Sequence, residues 1–317
     1  MNPISYGQTA VITGASGFVG SHLAHYLIKN GWMVHAIVRK TSNINYLRTS
    51  DQLRTHVHDG RTEHLINILK IFKPNIVFHL AAQSLAEHDS EQIETLIESN
   101  ILFGTQLLEA MSKNGIKYFI NTGSYWQHFE TNKYNPVNLY AATKQAFEAI
   151  IQFYTECNGI HAVTLKLFDT YGPEDPRNRL FNLFDSAAKS GEVLNISPGA
   201  QKIDLVYIDD VVGAYVIAAQ LILSGKKLDE SYGVSSGRQI SLKEVAKIYQ
   251  KITKKNIKIN FGGKSYRQRE VMVPWKAKRL PGWKPLTDLE TGIAKLIVEP
   301  NEAEPFQKIR KIAHVAS

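Results

Sequence analysis

Thr13-Gly14-Ala15-Ser16-Gly17-Phe18-Val19-Gly20 joins a short β-branched run, residues 8–13, to an amphipathic stretch, residues 18–29. Its glycines are spaced G-x-x-G-x-x-G. A turn from strand to helix uses glycine to tighten, to bring backbone against a pyrophosphate, and to pack the helix close to the sheet. The N-terminus of the following helix offers N–H groups and a positive dipole end to phosphate oxygens. Gly14, Ser16, Gly17, Phe18, Val19 and Gly20 are therefore the first candidates for holding a dinucleotide. The spacing departs from the G-x-G-x-x-G of simpler dinucleotide folds, and read alone it marks only a tight turn.

The segments downstream give the turn its context. Residues 33–38, 54–58, 75–80, 116–122 and 161–168 are short, apolar and often β-branched. Helical patterns at 18–29, 62–72, 89–113 and 138–157 lie between them, the third opened by the capping-box pair Asp89 and Gln92. Such alternation predicts an α/β fold, a Rossmann-type doubly wound parallel sheet covered by helices. After Phe168 the texture changes. Tyr171-Gly172-Pro173-Glu174-Asp175-Pro176 is a breaker cluster, and a helix over 178–190 stops at Ser190-Gly191. A strand at 204–208 and a helix at 209–223 are expected to return to the first domain. The remainder reads as a smaller α/β substrate-binding lobe, with capping boxes at Ser241/Glu244 and Thr287/Glu290. The expected division is 1–168 plus 202–224 for the dinucleotide-binding domain, 169–201 plus 225–300 for the lobe, and 301–317 for a peripheral tail.

At 317 residues the chain can bury one large core or two joined ones. No apolar run approaches the ~20 residues that cross a bilayer, and Met1-Asn2-Pro3-Ile4-Ser5-Tyr6 lacks the pattern of a signal peptide. The single cysteine, Cys157, excludes an intramolecular disulfide and a cysteine metal cage. A cytoplasmic location without membrane association is expected. The net charge of +8 suits either nucleic acid or a small anionic ligand. Lys and Arg are spread along the chain with no nucleic-acid-binding motif, so the anionic ligand is favoured. The histidines and carboxylates show no metal spacing, and no metal is expected.

The end of the second strand bears on the cofactor. A carboxylate there bonds the ribose 2′-hydroxyl of NAD and repels the 2′-phosphate of NADP. This chain has Arg39-Lys40 and no acid until Asp51. Two cations suit the phosphate, so NADP is expected ahead of NAD, although a solvated basic pair would look the same. Asp59, closing the third strand, is a candidate for the adenine edge or an ordinary turn residue.

Tyr140-Ala141-Ala142-Thr143-Lys144 opens the helix at 138–157. At i, i+4 the Tyr and Lys side chains share one face, with about 6 Å of rise between them. A nearby ammonium is expected to lower the phenol from its ordinary value of about 10, making it a usable proton donor or acceptor.

With these residues in view, the chain resembles the extended short-chain dehydrogenase/reductase family, in its NAD(P)-dependent nucleotide-sugar epimerase, dehydratase and reductase branch. The resemblance runs from about residue 8 to residue 298. It is carried by the glycine turn, His79-Leu80-Ala81-Ala82, Glu98-Ser99-Asn100 before Gly104-Thr105, and the Tyr140–Lys144 pair. Tyr171-Gly172-Pro173, Tyr207-Ile208-Asp209-Asp210-Val211 and Gly282-Trp283-Lys284-Pro285 complete it. The run at 139–145 is most similar to that of 4-ketoreductases of the CDP-abequose and paratose synthase type. The resemblance implies that Tyr140 is the acid/base and that Lys144 also binds the nicotinamide ribose. It places Thr122, with Ser124 as second candidate, against the reacting oxygen. Further cofactor contacts are implied at Gly60, Leu80, Ala81, Ala82, Asn100 and Leu167. The family's 4,6-dehydratases carry a carboxylate pair just after the Thr122 position. Here Gly123 and Ser124 stand there, so dehydratase chemistry is not expected.

For the substrate, Arg179 and Arg267 match places where the family contacts a diphosphate, a task suited to guanidinium; either can also be a surface charge. Ser84, Ser124, Trp126 and Asp169 are the remaining substrate candidates, Asp169 standing where the family commonly has Asn. Trp126 can equally be core, and His79 reads as a satisfied structural histidine. Ile203 replaces a frequent family arginine, with Lys202 one place earlier and therefore on the other face of a strand. The resulting expectation is NADPH-dependent reduction of the keto group of a nucleotide-linked 4-keto-6-deoxy sugar. An epimerase with the same triad and a retained cofactor is the alternative, and a non-catalytic NADP-binding regulator a third. The resemblance also implies a homodimer.

Overall fold

The computed structural model describes residues 7–47 and 49–297. Along the chain, β1 (Thr9–Thr13), α1 (Phe18–Lys29), β2 (Met33–Arg39), β3 (Leu53–His58), α2 (Thr62–Phe72) and β4 (Ile76–His79) come first. Next are α3 (Ile93–Ile97), α4 (Phe103–Lys113), β5 (Tyr118–Ser124), α5 (Leu139–Asn158) and β6 (His161–Leu167). The second part holds β7 (Asp169–Tyr171), α6 (Leu180–Ser190), β8 (Leu194–Ile196), β9 (Lys202–Tyr207), α7 (Ile208–Leu223) and β10 (Ser231–Val234). It ends with β11 (Gln239–Ser241), α8 (Leu242–Thr253), β12 (Ile259–Phe261) and α9 (Leu289–Lys295).

Seven parallel strands form the main sheet in the order β10-β6-β5-β4-β1-β2-β3, a Rossmann-type doubly wound arrangement. Strand alternation divides the core between its two faces. Ala10, Ile12, Ile76, Phe78 and Ile120 join the cluster that includes Leu23 of α1 and Val212 of α7. Val11, Val77 and Phe119 join the cluster with Leu65 of α2, Leu108 of α4 and Phe147 of α5. Burial on both faces explains why these strands read as continuous apolar runs. The strand order reverses beside β1, where β2 lies on one side and β4 on the other. That is where a doubly wound sheet opens a crevice at its carboxyl edge.

Three sequence expectations change. The helix expected over 89–113 is broken. A 3₁₀ turn at Ser90–Gln92, opened by the Asp89/Gln92 capping box, leads into α3, and a π-helical turn at Glu98–Leu102 separates α3 from α4. The wide turn carries buried Asn100, whose side chain bonds both backbone groups of Gln83 and the hydroxyl of Thr143. Second, α9 is capped by Asp288 rather than Thr287. The Asp288 carboxylate accepts from Thr291 N at 2.7 Å, while Thr287 N is committed to Asp210 at 3.0 Å. Third, the chain crosses between layers more often than expected. β9 pairs with β7 and β11 in a separate small sheet, whereas β10, from the stretch 225–300, pairs with β6. On the other edge of β10, Gly233 makes room for the segment at 277–279, because a side chain there would overlap Ala277.

Candidate active site

The glycine turn is shaped by contact with the end of β4. Gly14 has φ +72°, and a Cβ on it would lie 2.6 Å from Ala81 N. A Cβ on Gly20 would overlap the Gly14 carbonyl. α1 begins with Gly17 at its N-cap and no side-chain cap, so its first amides face outward for a ligand. His79 ties the same region from inside: its Nδ1 lies 2.8 Å from Thr13 Oγ1, which also accepts from Ala81 N. Burial pushes the His79 imidazole down to about 3, with the charge of Lys144 adding to the effect. Its Nε2 has no hydrogen-bond partner among the described residues, so the histidine expected to be satisfied is satisfied at one nitrogen only.

A cavity of 1060 Å³ runs along the carboxyl edge of the sheet into the second part of the chain. Gly14, Gly17, Phe18, Val19, Gly20, Leu80, Ala82 and Leu167 line it, together with Thr122, Tyr140 and Lys144. Ser84, Ser124, Trp126, Asp169, Arg179 and Arg267 also reach it. Arg39 and Lys40 lie outside, exposed where β2 ends, and Arg39 pairs in register with His58 of β3. Asp59 and Gly60 come directly after β3. The Asp59 carboxylate accepts from Arg61, at 2.8 Å from Nε and 2.6 Å from Nη2, and from Arg61 N at 3.0 Å, while His64 Nδ1 accepts from Asp59 N at 3.2 Å. The Arg61 bonds hold the Asp59 carboxyl well below the usual range. His58, Asp59 and His64 each bring one possible ligand atom within 4.8 Å of the others, a grouping not expected from sequence. Ser16 lies within the turn and Ala81 packs on Gly14, neither of them lining the cavity, and Asn100 is occupied in holding Gln83 and Thr143.

Helix α5 carries the Tyr–Lys pair. Its N-cap, Asn138, accepts from Ala141 N at 2.9 Å and donates to the carbonyls of Leu85 and Ala86 at 3.1 and 2.9 Å. The helix start is thus clasped to the loop that bears Ser84. Lys144 Nζ lies 6.0 Å from the centre of the Tyr140 ring. Burial pushes the Tyr140 phenol up; the Ser84 hydroxyl, Arg179, the Ser124 hydroxyl and Arg177 pull it down. The net shift is upward, opposite to the depression expected from the Tyr–Lys spacing, because burial outweighs the nearby charges. Burial also brings Lys144 itself down to about 8, against the opposing charge of Glu148.

Thr122, at the end of β5, has a partner that sequence reasoning missed. Its Oγ1 lies 2.6 Å from the hydroxyl of Tyr215, a fully buried residue of α7. The available signal was a phenol within the apolar run Val211–Ala219 of that helix. A second missed group surrounds Lys166, a buried cation in β6. Its Nζ lies 3.3 Å from Glu148 and 3.0 Å from His128 Nε2. His128 Nδ1 faces the Lys133 carbonyl at 3.0 Å, which makes Nδ1 the protonated nitrogen and Nε2 the acceptor. Gln127 completes the network by donating to Gln145 and Glu148, each at 2.8 Å.

At the far end, the Asp169 carboxylate accepts from the Tyr125 hydroxyl at 2.9 Å. Burial pushes the Asp169 carboxyl up, against that bond and the charges of Arg179 and Arg267. Arg267 is held by two bonds of 2.9 Å to Glu270, with its guanidinium 5.2 Å from the Trp126 ring. Arg179 reaches Ser84 Oγ at 3.5 Å. Trp126 is mostly buried, and its Nε1 has no partner among the described residues. Arg177, not anticipated from sequence, also lines the cavity; it is fixed by Asp175 and lies 4.6 Å from the Phe18 ring. Lys202 and Ile203 both line the cavity, Lys202 as an exposed residue.

No helix among the described residues is long and apolar enough to cross a membrane. Comparison with known proteins places this architecture. The family described as "NAD dependent epimerase/dehydratase family" matches residues 10–232. The chain is 30% identical over 302 residues to CDP-abequose synthase of Salmonella typhimurium, covering 92% of this chain and 97% of the relative. It is 26% identical over 312 residues to UDP-glucuronate 4-epimerase of Thermodesulfobacterium geofontis, covering 90% and 94%. Among solved structures, UDP-glucuronic acid 4-epimerase of Bacillus cereus with UDP-glucuronic acid and NAD superposes with a TM-score of 0.78 at 24% identity. That match covers 91% of this chain and 98% of the other. UDP-N-acetylglucosamine 4-epimerase of Methanobrevibacter ruminantium gives a TM-score of 0.79 at 22% identity, over 92% and 99%. Matched from first strand to tenth, with relatives aligned over nearly its whole length, the chain belongs to the NAD dependent epimerase/dehydratase family of extended short-chain dehydrogenases/reductases.

Proposed function

We propose that the protein is an NADPH-dependent 4-ketoreductase acting on a CDP-linked 4-keto-6-deoxy sugar. The observation that carries this reading is the exposed pair Arg39-Lys40 at the end of β2, where a 2′-phosphate would be received. A dissociable NADPH consumed as reductant suits a ketoreductase. The absence of a carboxylate at Gly123 and Ser124 argues against dehydration, and the likeness to CDP-abequose synthase supports both the CDP group and the sugar class.

The residues present fit a dinucleotide: side chains on Gly14 or Gly20 would close the turn, and α1 begins without a side-chain cap. When bound, the cofactor supplies the hydride. Tyr140 then gives its proton to the sugar oxygen as charge develops there, and Thr122 donates a hydrogen bond to the same atom. Lys144, whose ammonium lies near the phenol, stabilises the phenolate left behind and holds the nicotinamide ribose. Arg179 and Arg177 add positive charge at the same place. Arg179 and Arg267 would contact the diphosphate, with Arg267 already oriented by Glu270. On this reading residues 1–168 and 202–224 serve the cofactor, while 169–201 and 225–300 serve the sugar nucleotide, in a cytoplasmic homodimer.

The second reading is a 4-epimerase with retained cofactor, favoured by the likeness to UDP-glucuronate 4-epimerase. One experiment separates the two. Purified protein is assayed for bound nicotinamide nucleotide and for NADPH consumption with CDP-4-keto-6-deoxyglucose. One NADPH oxidised per keto-sugar reduced supports the reductase. Sugar interconversion without net NADPH loss would replace it by the epimerase.

A further inference from the structure

Thr122 stands on the cavity wall, and Tyr215 lies directly behind it, fully enclosed between α7 and the sheet. The two hydroxyl oxygens are 2.6 Å apart, and the Tyr215 ring meets Phe78 edge-on. Among the described residues, Thr122 is the one hydrogen-bond partner of the Tyr215 hydroxyl. That settles the direction of the bond. If Thr122 donated, the Tyr215 proton would be buried without an acceptor and would carry the full desolvation cost of an unmade bond. Tyr215 therefore donates and Thr122 accepts, which leaves the Thr122 proton free to turn toward the cavity that the residue lines. Burial raises the Tyr215 phenol further above its ordinary value, so it keeps its proton throughout the working pH range.

We infer that Tyr215 is a positioning residue that fixes Thr122 as a hydrogen-bond donor into the cavity, aimed at the sugar oxygen that gains negative charge. The inference rests on the ketoreductase reading only for the identity of that oxygen; a 4-epimerase would present the same atom to Thr122. A hydroxyl that accepts one bond is polarised into a better donor, so the Tyr215 bond also strengthens the one Thr122 makes. No proton moves through Tyr215, and it touches neither substrate nor cofactor. Serine or threonine alone would rotate freely between donor and acceptor roles. With Tyr215 behind it, Thr122 enters the reaction already oriented.

The test is a cycle of Tyr215→Phe and Thr122→Val, each single variant and the pair, with Thr122→Ser as the conservative control. The cycle is run on whichever reaction the wild type performs, keto-sugar reduction or epimerisation. Tyr215→Phe is expected to lower kcat about three- to tenfold while leaving KM and the NADPH Kd within about twofold. In the Thr122→Val background the same change should have no further effect on kcat, whereas in Thr122→Ser the loss should return. An unchanged kcat in Tyr215→Phe, or an equal loss with and without the Thr122 hydroxyl, overturns the inference. Urea unfolding of the same four proteins requires no substrate. If the wild type acts on no tested sugar nucleotide, the functional reading falls, and this cycle still decides the role of Tyr215. Coupling between the two positions supports the bond, and additivity overturns it.

Discussion

Glu148 lies between two buried lysines: its carboxylate is 3.3 Å from Lys166 Nζ, and it opposes the depression of Lys144 one helical turn earlier. Helix α5 thus carries a half-buried carboxylate that serves both Lys144, on the cavity wall, and Lys166, enclosed in β6.

Replacing it has two measurable effects. In Glu148→Gln, Lys144 loses the group that raises its pKa, so it should lose its proton at a lower pH than about 8. The alkaline fall of kcat is therefore expected to move to lower pH. Lys166 would be left buried without its counter-charge, at a cost on the order of 3 kcal/mol in urea unfolding. A pH–rate profile that superposes on wild type would separate Glu148 from the chemistry.

Removing the Tyr140 hydroxyl alone tests the central assignment. Tyr140→Phe keeps the ring that meets Trp126 edge-on, so folding and NADPH binding should survive. General acid catalysis is typically worth ~10²–10⁴-fold, and kcat should fall by that order. Lys144→Ala should also weaken NADPH binding, and Thr122→Ala should act mainly on turnover. Turnover near wild type in Tyr140→Phe would move the acid to another residue.

Cofactor choice is expected to follow β2. Fluorescence titration should give tighter binding of NADPH than NADH, and Arg39→Asp should shift the preference toward NADH. Equal wild-type affinities would remove Arg39 from the phosphate site.

Acid should weaken the fold where β2 meets β3. His35 Nδ1 lies 2.8 Å from His56 Nε2, and the His35 ring stacks on Phe72 at 3.7 Å. Burial first, then the charges of His56 and Arg54, bring His35 from 6.5 to about 4. A histidine with a depressed folded pKa contributes its stability above the unfolded value and loses it as pH falls toward the folded one. Unfolding free energy should therefore decline between about pH 6.5 and pH 4, and less steeply in His35→Phe, which keeps the stack. Denaturant titrations at pH 7.5 and pH 5 make the comparison.

Much of this arrangement was readable from local sequence, because the chemistry there is set by spacing. The glycines at 14, 17 and 20, the i, i+4 pair Tyr140 and Lys144, and the capping box at Ser241/Glu244 all depend on neighbours along the chain. What escaped depends on neighbours across it. The break in the helix after Ile97 is stabilised by Asn100 reaching Gln83, and the shift of the α9 cap results from Asp210 claiming Thr287. Tyr215 and Lys166 sit within segments that read only as a helix and a strand, and nothing in those segments tells that a hydroxyl or a carboxylate will meet them there. The lowered phenol expected at Tyr140 failed for a related reason: pair spacing says nothing about how deeply the pair is buried.

The docking of β10 against β6 also has a consequence for the order in which the molecule is made. When a ribosome has released the first 168 residues, six strands of the main sheet exist, but β6 still presents an open edge. The strand that covers it, Ser231–Val234, lies some sixty residues downstream, beyond the whole of α6 and α7. Until it emerges, Thr164, Leu165, Lys166 and Leu167 are a row of unpaired backbone groups, open to other nascent chains. A fragment ending at residue 168 should therefore aggregate rather than fold as a free cofactor module, and nascent-chain proteolysis should show protection of β6 only after residue 234 has left the exit tunnel.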